Sequence, residues 1–289
     1  MTENYVNALV RLIDDPDENI YSQVKKRISS IGSAVIPILE HSRDDDFDLL
    51  YQTRIDELIK EIQFEETKKE LKNWIESDDK SLLDGALIVA KYQYSALEKE
   101  KIEATLHEIK TAIWLELSPV STAFEKVNII NEIFYKRFGF KGNEKNVNAP
   151  IGFYINTALE LKVGNPLSLS IIYSVLAEML EIPIYCVNLP KHFILAYMDE
   201  MQINTLVGNT NKYGVLFYLD AFNNGKIVDE KAVAEYLDSK KLPHDRCYFE
   251  PCSNSQTIKR MLNSLSFAYH ALGQFEKMKD IETLKKLFA

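Results

Sequence analysis

Three short stretches of the sequence carry side chains that could act together in acyl-transfer chemistry. Residues 165–168, with the sequence NPLS, begin a predicted helix, His192 begins a predicted strand, and Asp220 ends another strand. The dipole and the free N–H groups at a helix N-terminus favour the anionic form of a nucleophile. A histidine on the adjacent strand would take its proton, and an aspartate on the next strand would fix the imidazole tautomer. The chain order is therefore nucleophile, histidine and aspartate.

The identity of the nucleophile is open. Ser168 supplies a hydroxyl in the first turn of the helix, where it either attacks a substrate after activation by a base or caps the helix. Cys186 lies on a predicted strand among apolar neighbours, so we expect it to be a small buried hydrophobe. Cys247 and Cys252 have no accompanying His or Cys that would complete a metal site. Neither a metal nor a cofactor is therefore expected.

The elements that position these side chains follow from the hydrophobic pattern. Asn165 fits a helix N-cap and Pro166 fits the first helical position, so a helix is predicted over about 166–181. After Pro183 the apolar period changes from helical to alternating, which predicts strands. These strands cover residues 184–189, 192–197, 204–207 and 215–219. An antiparallel meander packed against this helix would give an α+β core.

Helices are predicted on both sides of this core, so the fold class is α+β and mostly α. The N-terminal pattern includes helices over about 46–63, 66–77 and 121–138. The opening residues fit either one HEAT-like repeat unit or a plain helical bundle, and both alternatives stay open because solenoids need several repeats. Residues 255–289 return to helix, and the run 268–277 has the pattern of a tetratricopeptide helix pair that docks on the preceding domain.

Two segments resemble the SirB-type branch of the transglutaminase-like family. They are VGNPLSLSIIYSVLAEMLEIPIYCVNLPKHFILAY, residues 163–197, and YLDAFNNGKIV, residues 218–228. The branch has a G-[IN]-P-[IL]-S-L helix start, an L-P-x-H-F strand and a D-P-F-N-G-G turn. The resemblance extends over roughly residues 80–289. It implies a papain- or transglutaminase-like core in which His192 and Asp220 are the family's histidine and aspartate.

The resemblance also implies a departure at the nucleophile. Active members carry a G-x-C motif at the start of the helix, and an ungapped count back from residues 181–183 places that cysteine at Pro166, which has no nucleophile. Three smaller departures flank the motifs. Lys191 replaces the glycine usual before the histidine, Glu181 replaces the glycine at the helix end, and Ala221 replaces the proline after the aspartate.

The resemblance sets the expected domain boundaries. They are a helical segment over 1–78 with the HEAT-like and bundle alternatives, the helical part of the SirB-type region over 79–140, the transglutaminase-like core over 141–254, and the tetratricopeptide-like helix pair over 255–289.

The roles of the site residues stay open at this point. The pairing of His192 with Asp220 would serve a catalytic base, or it would be a structural hydrogen bond that joins two strands, and both alternatives predict the same geometry. Asn165, Pro166 and Asn188 are expected to line or order the pocket beside this pair.

Composition limits the classes of partner. The chain has 289 residues, 34 basic and 43 acidic side chains, a net charge of −9 and a pI near 5.2. This balance, without a long basic block, argues against nucleic acid, and no apolar run reaches the ~20 residues that span a bilayer. The opening residues lack the apolar region of a signal peptide, and three cysteines without a C-x-x-C motif fit a reducing compartment. A cytoplasmic protein is expected.

Two functions remain open. The favoured one is a degenerate transglutaminase-like module that binds a protein or peptide, because Pro166 replaces the thiol and the flanking helices are of an interaction type. The alternative is a hydrolase or acyltransferase on peptide or amide bonds. In that case His192 and Asp220 would activate Ser168 or a water molecule.

Overall fold

The computed structural model describes residues 3–45, 48–199 and 213–288. The chain divides into two compact units, one formed by Met1–Asn73 with Lys91–Ala96 and the other by Trp74–Ala90 with Leu97–Ala289. The four segments expected from the sequence are finer than this division and stay predictions. The strand predicted over 204–207 lies outside the described residues.

The first unit is helical. It contains α1 (Glu3–Val10), α2 (Glu18–Ser29), α3 (Ile36–Asp45) and most of α4 (Leu49–Glu76). Asp17 begins α2 as its N-cap, since its Oδ1 accepts the N–H of Asn19 at 2.8 Å. Apolar side chains from all four helices form one buried core. The HEAT-like and bundle alternatives both require such a core, so the choice between them stays open.

Arg54 fixes the turn between α1 and α2. Its side chain is 8% exposed, and its guanidinium donates to the carbonyl oxygens of Ile13 at 2.8 Å and Asp15 at 2.9 Å. The same group pairs with Glu18 at 2.6 Å and lies over the ring of Tyr21. A buried guanidinium is tolerated only when its donors find acceptors, and here the chain turn supplies them.

The second unit carries the remaining elements. Its helices are α5 (Leu82–Lys91), α6 (Lys99–Trp114), α7 (Ala123–Asn131), α8 (Ile155–Leu161), α9 (Pro166–Met179), α10 (Glu230–Ser239), α11 (Asn254–Ala271) and α12 (Phe275–Lys285). Its strands are β1 (Lys141–Gly142), β2 (Val163–Gly164), β3 (Ile184–Val187), β4 (Ile194–Met198), β5 (Val215–Asp220) and β6 (Lys226–Val228). The α+β, mostly helical class predicted from the sequence is confirmed.

Three of the N-terminal helix predictions are wrong in detail. The helices expected over 46–63 and 66–77 form one continuous helix, α4, because neither Gly nor Pro interrupts the sequence between them. The helix expected over 121–138 ends as α7 at Asn131 and continues as a π-helical segment over Glu132–Arg137. The N-cap of α7 is Thr122, which forms a capping box with Glu125.

The sheet is an antiparallel meander in the order β3-β4-β5-β6, as the pattern of alternation predicts for its first three strands. Ile184 pairs with Tyr197, and Leu219 pairs with both Leu195 and Ile227. The strand expected to begin at His192 begins at Ile194 instead. His192 therefore lies in the turn before β4, where its N–H donates to Leu189 O at 3.2 Å.

Helix α9 is the centre of the second unit. Residues 167–177 are all buried, and the helix packs against β3, β4 and the turn after β5. A helix that is apolar on every face belongs inside a core. The predicted N-cap at Asn165 and first helical residue at Pro166 are both confirmed. The helix ends at Met179, two residues earlier than predicted.

The tail forms the helix pair predicted from its pattern. Gly273 lies between α11 and α12 with a φ of 70°, and Ser266 donates to Glu282 across the pair at 2.6 Å. The pair docks on the rest of the unit, since the hydroxyls of Tyr269 and Tyr154 hydrogen-bond at 2.7 Å in a buried position. The tetratricopeptide-like assignment of this pair stays a prediction.

The three thiols are expected to differ strongly in reactivity. Cys186 in β3 is 3% exposed, and burial raises the pKa of its thiol; burial also raises the pKa of the half-buried Cys252. Cys247 is exposed. Since the thiolate is the reactive form, we expect Cys247 to be alkylated first. Cys186 should be alkylated at least roughly 100-fold more slowly in the folded protein. Timed iodoacetamide labelling followed by peptide mass spectrometry measures this order, and rapid labelling of Cys186 would contradict the fold.

Candidate functional site

The structure brings His192 and Asp220 together. His192 Nε2 lies 2.9 Å from Asp220 Oδ2, and the two side chains are 19% and 14% exposed. The ring of His192 also lies beside that of Tyr236, whose hydroxyl donates to Pro190 O at 3.0 Å. The turn before β4 is thus held by α10, and it presents the imidazole to the end of β5.

Asp220 has more partners than its histidine. Its Oδ1 accepts the N–H groups of Phe222 at 3.1 Å and Asn223 at 3.2 Å, and its Oδ2 accepts Asn223 Nδ2 at 2.6 Å. Burial raises the pKa of Asp220, but the hydrogen bonds and charge of His192 and the bonds from Asn223 outweigh burial and leave the pKa below its ordinary value. The carboxylate is therefore ionised near neutral pH. It orients the imidazole and also caps the short helical turn Ala221–Asn223.

Ser168 is part of the helix cap. Its side chain is completely buried; Oγ accepts the N–H of Asn165 at 3.1 Å and lies 3.4 Å from Asn165 O. Asn165 Oδ1 in turn accepts the N–H groups of Leu167 and Ser168 at 3.0 and 2.9 Å. These reciprocal hydrogen bonds form a capping box. Ser168 therefore has the geometry of a helix cap, the second of its two predicted roles.

A cleft of about 520 Å³ opens beside Pro166 and His192, which both line it. Its size falls within the usual range of small-molecule and peptide-side-chain pockets. The other lining residues are Val147, Asn148, Phe153, Leu167, Lys191, Phe193, Arg260, Asn263, Ser264 and Phe267. Asn165 and Asn188, both expected near the pocket, do not line this cleft, and neither do Ser168 and Asp220.

The C-terminal helix pair contributes a wall of the cleft that the sequence did not predict. Arg260, Asn263, Ser264 and Phe267 all come from α11. The pattern of α11 indicated only an apolar stripe for docking. The polar residues at the edge of that stripe, next to buried positions such as Met261, are the signal in the sequence that could have indicated a cavity beside this helix.

The part of the chain that carries this site matches a known protein family. Residues 100–263, more than half of the chain, match the family model of the transglutaminase-like superfamily. The chain belongs to this superfamily. A UPF0162 protein of Xylella fastidiosa strain 9a5c is 23% identical over 210 residues, which cover 70% of each chain. Mouse F-box only protein 21 is 26% identical over 182 residues, which cover 55% of this chain and 28% of that protein. No solved structure matches.

Two departures from the transglutaminase-like motifs have a backbone explanation. Lys191 and Glu181 replace glycines of the resembled branch, and they adopt positive φ values of 60° and 55°. Glycine is the residue that favours this left-handed region, so a glycine at either position would relieve strain. Lysine keeps the same turn at a cost of roughly 1 kcal/mol. The exposed Lys191 adds a positive charge to the cleft from this left-handed position.

The transglutaminase-like site rests on a second set of buried contacts below the turn after β5. Tyr135 donates to Ala221 O at 2.8 Å, and Asn131 Nδ2 donates to Gly225 O at 3.0 Å. Tyr173 of α9 donates to Asn131 Oδ1 at 3.0 Å. The sequence carries no signal of this network, because its members lie on elements far apart in the chain and belong to no shared motif.

The described ranges contain neither a membrane-spanning candidate nor a metal-binding cluster. In them, no helix combines the length and apolarity needed to cross a bilayer. The same residues hold no group of three or more His, Cys, Asp or Glu side chains that could hold a metal ion.

Replacing His192 by alanine is expected to lower the free energy of unfolding by only about 1 kcal/mol. Asp220 would lose one of its donors but keep those of Phe222 and Asn223. Urea unfolding of the wild type and of His192→Ala measures the difference. A loss above roughly 3 kcal/mol would mean that the imidazole contributes to packing beyond this hydrogen bond.

Proposed function

We propose that this chain is a transglutaminase-like protein that lacks the thiol nucleophile and uses its cleft to bind a segment of a protein or peptide. One observation carries the proposal: Pro166, the position to which the motifs assign the cysteine, lines the cleft together with His192. Proline has no group that attacks a carbonyl. The cleft is present although the chain has no nucleophilic cysteine beside it.

The lining of the cleft supports peptide binding. Phe267 is 65% exposed on α11, whereas Phe153, Leu167 and Phe193 are buried along the same cleft. A large exposed aromatic beside an apolar depression is typical of surfaces that receive a partner side chain. Asn148 and Asn263 offer amide groups that donate to and accept from a peptide backbone.

We also propose that the chain belongs to the SirB-type branch and acts in the cytoplasm with a protein or peptide partner. The helix start, the histidine strand and the aspartate turn of that branch support the first point, because they fall at 164–169, 189–193 and 220–225. All three cysteines are free thiols, which supports a reducing compartment.

A second candidate function is hydrolysis or acyl transfer on peptide or amide bonds. The intact hydrogen bond between His192 and Asp220 favours it, because His192 also reaches the cleft. The cap geometry of Ser168 supports a water molecule rather than this serine as the nucleophile. A histidine base oriented by a carboxylate activates water in the same way as it activates a hydroxyl.

A pool of end-blocked heptapeptides with random central positions tests both functions. The full chain is immobilised, and peptides retained or altered are read by mass spectrometry. We expect a subset to be retained by the wild type and lost with Ser264→Trp, which fills the cleft. Ser118→Trp places the same side chain on an exposed residue outside the cleft and should retain the subset.

The outcomes separate the two candidates. Equal retention by wild type and Ser264→Trp would contradict peptide binding in the cleft. Hydrolysed or transferred products that disappear with His192→Ala would establish the enzyme instead, and products that disappear only with Ser168→Ala would restore the serine as nucleophile.

A further inference from the structure

The cleft is positively charged in a chain that is acidic as a whole. Lys191 and Arg260 line it with His192, and among the residues that the structure describes no Asp or Glu lines it. The chain carries a net charge of −9. A local reversal of sign at a cavity raises the local concentration of anions there.

Of the two basic side chains that line the cleft, Arg260 is the less exposed. Its side chain is partly buried in the wall formed by α11, and no hydrogen bond or ion pair to it occurs within the described ranges 3–45, 48–199 and 213–288. The buried Arg54, in contrast, donates to two carbonyls and a carboxylate. Burial removes part of the water around the Arg260 guanidinium, and partial desolvation without an acceptor costs free energy. That cost indicates a partner that arrives from outside.

The titratable groups that act electrostatically on Arg260 carry no negative charge near pH 7. Tyr236 and Cys252 interact with it electrostatically, and burial raises the pKa of both, so both are neutral near pH 7. A carboxylate group supplies two acceptor oxygens that match the planar fork of one guanidinium.

We infer that the cleft binds an acidic side chain of a peptide, with the carboxylate on Arg260 and the flanking apolar side chains on Phe267 and its neighbours. This inference rests on the proposed peptide binding and names its specificity. Lys191 adds long-range attraction at an exposed position, and Asn263 lies one turn from Arg260 on the same helix for the peptide backbone.

Two matched peptide libraries test the inference. Both are end-blocked heptapeptides with random apolar residues around a fixed centre, which is glutamate in one library and glutamine in the other. The wild-type chain should retain the glutamate library about tenfold more strongly, as expected for a charge-assisted bidentate bond. Arg260→Gln should abolish this preference, and Arg260→Lys should leave only part of it.

Arg246→Gln is the matched control. Arg246 is 77% exposed, pairs with Glu250 and does not line the cleft, so its loss should leave the preference unchanged. Thermal melting gives an independent readout, since Arg260→Gln should melt no lower than the wild type because the guanidinium has no partner in the described fold. A much lower melting temperature would show that Arg260 has a structural acceptor and would overturn the inference.

The remaining outcomes distinguish this inference from the proposed function. Equal retention of both libraries, lost with Ser264→Trp, would leave peptide binding standing and overturn the acidic specificity. Retention that depends on a free peptide C-terminus instead of the central glutamate would also overturn it. Retention of neither library would overturn both.

Discussion

Replacing Gly225 by alanine is expected to destabilise the protein by about 3 kcal/mol. Gly225 is buried after β5 with a φ of 68°, and a Cβ added there would overlap the carboxamide of Asn131. Asn131 cannot withdraw without cost, because it donates to Gly225 O and accepts from the buried Tyr173. Alanine therefore adds backbone strain and breaks a buried polar network. Urea unfolding measured by circular dichroism gives the change in unfolding free energy.

Gly273→Ala separates the two contributions. Gly273 has a similar φ of 70°, but a Cβ there would meet no atom within 4 Å. Its replacement should cost only the backbone strain, about 1 kcal/mol. If the two variants were equally destabilised, the contact with Asn131 would contribute nothing, and the turn after β5 would be more adaptable than the structure indicates.

Asp220→Ala is expected to lower the free energy of unfolding by about 2–3 kcal/mol, well above the effect of His192→Ala. The carboxylate accepts from His192, from two backbone N–H groups and from the Asn223 amide, so its removal leaves several donors without their acceptor. The turn that it caps also packs Phe222 against Gly142. A cost no larger than that of His192→Ala would mean that water replaces the carboxylate easily.

The pH dependence of stability isolates the charge of Asp220. Its pKa in the folded protein lies below the ordinary value of about 3.9, so its contribution is present above that pH and is lost as the pH falls through the folded pKa. Asp220→Asn removes the titration but keeps the shape. The unfolding free energy of this variant should therefore decline less than that of the wild type between about pH 5 and pH 2.

Local chemistry made the centre of the fold predictable. Asn165 followed by Pro166 favours a helix start, because one residue caps the free N–H groups and the other has no N–H to satisfy. The change of apolar period after Pro183 is equally local, and it gives the antiparallel meander. His192 and Asp220 then meet because they flank neighbouring strands.

Long-range contacts were not predictable from one sequence. Arg260 and Phe267 reach the cleft only because α11 folds back onto the core, and their own sequence context fits an ordinary amphipathic helix. The strand boundary near His192 moved because the hydrogen bond from its N–H to Leu189 closes a turn before the ladder begins. Such competition between turn and strand is decided by tertiary contacts such as Tyr236 to Pro190.

Pro166 is the first residue of α9, where its missing N–H leaves no helical hydrogen bond unmade. The imidazole, the carboxylate and the entrance beside them form a scaffold that does not depend on this residue for its construction. By the motif count, Pro166→Cys alone would complete the Cys–His–Asp set that the resemblance implies. If the proposed function holds, this chain is therefore a starting point for installing a thiol nucleophile by design.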